Sequence, residues 1–206
     1  KFHWTAIVAG LFIAVMWIVL AQGMMDLFQN REEMEGYRYL EEMPPILAWP
    51  SMVMRLIGMA LIVPLFEELW TRSLLLRSFH SPRATKVGLI NLAQDMPVLD
   101  DLIGDTRWAR EAAKEHGIFT RMFQQVPLGQ VSLFAVMASS VVFMLAHHWR
   151  DWPGCLLCGV TYCLVVAYTN RGKLQLGLGP AVWAHGITNA GLWVYTLYAD
   201  QWYYLP

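Results

Sequence analysis

From Thr5 to Met25 the chain carries no charged side chain. A bilayer core takes about 20 apolar residues of helix. Backbone in lipid must satisfy its own hydrogen bonds, which limits spanning segments to helices or closed barrels. This run therefore predicts a membrane helix. Ile46–Phe79, Val131–His147, Gly154–Thr169 and Leu178–Tyr198 are further apolar segments. Only 15% of the chain is charged, against about 25% in ordinary globular domains, so little of it can form a solvated surface. The expected fold is all-α: a polytopic helical membrane protein, one domain over residues 1–206, with about five to six membrane helices around a polar intramembrane cavity.

Between the first two apolar segments lies an acidic connector, Asp26–Pro45, with Asp26, Glu32, Glu33, Glu35, Glu41 and Glu42; it ends in Pro44-Pro45, which stops a helix from continuing. Ile46–Phe79 is too long for one straight crossing: about 51 Å of helix against roughly 30 Å of hydrocarbon. Pro64 is read as the break or kink within it. His80–Gln130 is a polar connector with short amphipathic pieces such as Asp105–His116. The last apolar segment ends in Tyr195, Tyr198, Trp202, Tyr203 and Tyr204, as an interfacial aromatic belt would. Arg72, Arg77, Arg83, Lys86, Arg107, Arg110, Lys114 and Arg121 flank or fill the connector and predict a cytoplasmic side, which Arg171 and Lys173 should share. Lys1 leads into the first apolar run without a small-residue cleavage exit, so no cleavable signal peptide is expected and residues are expected to be missing before Lys1. A net charge of −1 gives no basic face and so no nucleic-acid partner. Cys155, Cys158 and Cys163 lie in one apolar segment; no second Cys-x-x-Cys exists to complete a zinc site, and they are read as small buried residues.

Charges in such segments are costly and mark functional sites, facing protein or a wet cavity. Glu67, Glu68 and Arg72 interrupt Ile46–Phe79. Glu68 and Arg72 are spaced i,i+4 on one helical face, so the arginine holds that carboxylate. Glu67 is offset by about 100° and is left to act as a general base. Glu32-Glu33 offers the same acidic pair without the arginine register. His147 follows Phe143 at i+4, and His148 beside Trp149 and Arg150 reads as interfacial. His185 and Asn189, also i,i+4, share a face, with Gly186 and Gly191 allowing close helix approach. Singly, each is ordinary polar glue between helices. Together they form a cavity suited to water activation: Glu67 and His147 sharing a water, His185 and Asn189 donating to an oxyanion. That is hydrolysis of an amide or ester within the membrane.

The three motifs, EELWTR (67–72), FMLAH (143–147) and HGITN (185–189), in this order on apolar helices, resemble the CPBP group. It contains the CaaX-processing endopeptidase Rce1 and bacterial Abi-type relatives. The likeness covers about residues 50–200. It implies an intramembrane glutamate-dependent protease with no required metal and no cofactor. Carried over, Glu67 is the water-activating base assisted by His147, His185 and Asn189 are the oxyanion pair, and Glu68 with Arg72 is the supporting shell. VPLGQVSLFAVMASSVVFMLAHHW and AVWAHGITNAGLWVY are similar to the exosortase-associated bacterial branch, which accompanies a sorting system for exported proteins. Ser73 stands where many relatives have Gly, and the long polar connector departs from compact members. The implied partners are membrane lipid and a protein or peptide substrate, in a bacterial inner (plasma) membrane.

Two other readings compete. A zinc metalloprotease would use these His and Glu residues as ligands, but HExxH is absent. A non-catalytic subunit of the same fold would scaffold or protect a larger membrane protein complex.

Overall fold

The computed structural model describes residues 1–28, 38–115 and 125–204. Within them every regular element is helical: α1 (Thr5–Phe28), α2 (Tyr39–Glu42), α3 (Pro45–His80), α4 (Pro82–Gln94), α5 (Pro97–Ile103), α6 (Arg107–Ala113), α7 (Leu133–Leu145), α8 (Trp152–Thr169) and α9 (Gly179–Ala199). The 3-10 turns Trp149–Asp151 and Trp202–Tyr204 precede α8 and follow α9. Counting Trp149–Thr169 as one run, three helices are long and apolar enough to cross a membrane, α1 and α3 being the others. The shorter apolar α7 and the 21-residue α9 pack among them.

Small residues set the centre of the bundle. Ala6, Ala9, Gly10, Ile13, Ala14, Trp17 and Ala21 recur at helical spacing and form the buried seam of α1. They meet Ala181, Ala184, Thr188 and Leu192 of α9. A methyl at Gly10 would sit 2.6 Å from the Ala184 carbonyl oxygen, so only glycine permits this approach. One hydroxyl then ties three helices: Thr188 Oγ1 donates to Gly10 O at 2.9 Å and lies 2.6 Å from Tyr162 Oη of α8. Gly159 of α8 plays the same part against α7, where an added Cβ would lie 2.7 Å from Ser140 Cβ. Gly159→Val is expected to cost about 1–3 kcal/mol by overpacking, read as a lower Tm in detergent or nanodisc.

Pro64 does not break α3. Its neighbours stay helical, with Val63 at φ −58°, ψ −50°, and the helix runs through to His80. The turn before it explains why. Gly58–Ile62 winds as π-helix, and the Val63 N–H donates to Gly58 O, five residues back. A wider turn relieves the clash a proline ring would make with the carbonyl four residues earlier. A second π stretch, Leu69–Leu75, follows Glu68. Pro45 sits at the start of α3, where its missing N–H is not needed.

The terminal aromatics differ from a simple belt. Asp200 turns the chain in a left-handed conformation (φ 53°), and Trp202–Tyr204 folds back onto the bundle. Trp202 and Tyr204 are buried, while Tyr198 remains 90% exposed. Arg72 is also buried and is therefore not a connector charge. Gly129 lies against Asn170, and Phe79 packs edge-on against Phe134 at 6.2 Å, so the connector and Arg171–Lys173 share one end of the bundle. The amphipathic piece expected over Asp105–His116 is observed as α6, with Thr106 capping it; His116, Arg121, Glu32, Glu33 and Glu35 lie outside the described residues. The three cysteines are free and buried in the core, as read.

Candidate active site

The two adjacent glutamates have separate surroundings. Glu68 is fully buried, and its Oε1 lies 3.2 Å from Arg72 Nη1, itself 1% exposed. No solvent reaches this pair, so the guanidinium needs other partners. Arg72 donates to Thr71 Oγ1, which donates in turn to Glu67 O. Its guanidinium stands 4.8 Å from the Phe143 ring centroid and 5.3 Å from that of Tyr162. Such cation–π contacts strengthen when desolvated. The EELWTR motif is thereby clamped between α7 and α8.

Glu68 has a second role. Its Oε1 accepts from His185 Nδ1 at 2.9 Å. A carboxylate cannot donate, so Nδ1 carries the proton and the ring is fixed in orientation. The other ring nitrogen, Nε2, stands 3.6 Å from Glu67 Oε2. Arg72, Glu68, His185 and Glu67 thus form a chain from the protein interior to the cavity wall. Glu67, at 33% side-chain exposure, is the member that opens to the cavity. Among the described residues nothing donates a hydrogen bond to its Oε2.

His147 enters from the end of α7. The helix stops at Leu145, and the imidazole turns back so that Nδ1 lies 2.8 Å from Phe143 O. A carbonyl accepts only, so Nδ1–H is the donor and Nε2 is left for the cavity. Phe143 spaces the site: its ring centroid is 4.5 Å from that of His147 and 6.2 Å, edge-on, from that of His185. Asn189 Nδ2 donates to Met59 O of the π turn at 2.8 Å. Glu67, His147, His185 and Asn189 all line one cavity of about 350 Å³, whose wall continues through Arg150, Asp151, Tyr203 and Tyr204.

All six residues singled out in the sequence therefore fall at one place, Glu68 and Arg72 behind the wall and the other four on it. His148 is exposed at the rim. Sequence reasoning missed several contributors. Trp17 Nε1 donates to Asp151 Oδ1 at 3.1 Å, and Arg150 holds the same carboxylate through two contacts of 3.2 and 2.8 Å. This fixes the turn after His147 to α1. Arg-Asp at a helix end resembles any interfacial charge pair, so nothing in the sequence marked it. Tyr162, whose hydroxyl sits in an apolar helix close to Gly159, was a weak but available signal. The unbroken α3 places Glu67 Oε2 3.6 Å from His185 Nε2.

Residues 111–191 match the family model described as Rce1-like, type II CAAX prenyl endopeptidase Rce1-like. The matched segment contains the Phe143–His147 and His185–Asn189 motifs; Glu67–Arg72 lies before it. No curated protein and no solved structure matches the chain.

Proposed function

We propose that the chain, whose residues 111–191 match the Rce1-like type II CAAX prenyl endopeptidase model, is an intramembrane, glutamate-dependent endopeptidase. One observation carries the reading: Glu67, His147 and His185 line a single cavity although they come from three helices far apart in sequence. Water enters between Glu67 and His147. Glu67 takes one proton as the water oxygen attacks the peptide carbonyl carbon. His147 Nε2, with Nδ1 committed to Phe143 O, holds and orients that water. The carbonyl oxygen becomes an oxyanion, which His185 Nε2 and the second N–H of Asn189 stabilise. For this His185 carries a proton on Nε2 as well as on Nδ1, with the two glutamates as its charge partners. The tetrahedral carbon then collapses, the C–N bond breaks, and Glu67 returns its proton to the leaving amine. The products are a carboxylic acid and an amine, and the acid's proton passes to the amine to leave a carboxylate and an ammonium group.

Polar side chains in a cavity within an apolar bundle suit a substrate that is itself membrane-associated or exported. A bacterial inner-membrane setting accords with this. The substrate is found by comparing the termini of membrane proteins in cells carrying the parent chain or Glu67→Gln. New termini present only with the parent identify the cut; identical termini in both contradict the proposal.

A further inference from the structure

Resting on the protease reading, we infer that Pro64 is a positioning residue: by withholding an N–H it frees the Met59 carbonyl to orient Asn189 and to dock the Glu67 segment on α9. Val63 N–H bonds to Gly58 O, which sets a register of five residues. The next donor in that register is residue 64, whose acceptor would be Met59 O. Proline has no N–H to give. In an α-helical register Met59 O would accept from Val63, which is already committed. The acceptor left over is the one that Asn189 Nδ2 reaches at 2.8 Å.

The neighbouring carbonyl points the same way. Ala60 O, the α-register acceptor for residue 64, abuts Gly186 so closely that any Cβ there would collide with it. Gly186 and Asn189 bracket one turn of α9, next to His185. Met59 O and Ala60 O therefore both belong to the surface on which α9 seats. Buried carbonyls without a partner are costly, and here a side chain of the site supplies the partner. The exchange also fixes the site. One N–H of the Asn189 carboxamide is held by Met59, which aims the other, and Glu67 follows Pro64 by less than one helical turn.

A proline that is merely tolerated predicts the opposite of a proline that positions. Pro64→Ala removes a helix-interior proline and supplies an N–H, so the protein should be at least as heat-stable as the parent. If Pro64 positions the site, kcat nonetheless falls about 10-fold to 100-fold, with KM within about 2-fold, because residue 64 now competes for Met59 O. Pro64→Ala/Asn189→Ala should then be no slower than Asn189→Ala alone, since both act through one carbonyl. Parental kcat in Pro64→Ala, or losses that multiply in the double variant, overturns the inference. Pro64→Ser supplies the same N–H and carries the same expectation, so one misfolded variant does not end the test. The same two substitutions should also be non-additive in Tm. That coupling is measured whether or not the chain cleaves anything, so its failure and the failure of the protease reading are told apart.

Discussion

Glu67→Gln is expected to lower kcat for peptide hydrolysis by about 10²–10⁴-fold, with Tm close to that of the parent. The amide is nearly isosteric with the carboxylate but cannot take the proton of an attacking water. Folding should tolerate the change because Glu67 is a third exposed and its contact with His185 Nε2, at 3.6 Å, is longer than a hydrogen bond. Removing that contact leaves no buried charge without a partner, since His185 keeps its bond to Glu68. Single-turnover cleavage of the peptide identified by terminal proteomics, alongside thermal unfolding of the same preparation, separates the two effects. Equal loss of activity and stability would make Glu67 a structural residue.

Arg72→Met is expected to do the reverse: it removes stability first. Glu68 is fully buried and Arg72 is its cation at 3.2 Å. Breaking a buried pair from one side costs about 3–5 kcal/mol, toward the lower end here because His185 still donates to Glu68. The variant also loses the guanidinium from between Phe143 and Tyr162. A large fall in Tm, or failure to insert, is the predicted result. Arg72→Met/Glu68→Gln should regain much of that stability, since a neutral amide needs no cation. Its activity should recover less. The amide that replaces Glu68 can still accept from His185 Nδ1, but it removes the negative charge that faces His185 in the proposed mechanism. If the double variant is as active as the parent, the Glu68–Arg72 pair serves folding alone.

The apolar runs announced the bundle, because lipid leaves a chain few ways to satisfy its backbone. The site was legible for the same reason: Glu67, His147, His185 and Asn189 are expensive in apolar helices unless they meet. The local geometry was less legible. Pro64 reads as a break or kink because sequence rules weigh the lost N–H and the ring clash against an α-helical turn. The π turn over Gly58–Ile62 removes the clash, and Asn189, distant in sequence, supplies the lost donor. Trp202 and Tyr204 read as interfacial since nothing in their spacing shows that Asp200 reverses the chain. The bond of His185 to Glu68 was likewise hidden, as i,i+4 spacing had already assigned Glu68 to Arg72. In the structure Oε1 serves both.

In the proposed mechanism a water held by Glu67 and His147 attacks the peptide bond directly. Single-turnover cleavage by the purified chain in water labelled with heavy oxygen tests it. The label should enter the new C-terminal carboxylate of the peptide in that first turnover, none should enter Glu67, and Glu67→Gln should form labelled product at least about 10²-fold more slowly. Label in the Glu67 side chain, or labelled product at the parental rate from Glu67→Gln, would contradict the account.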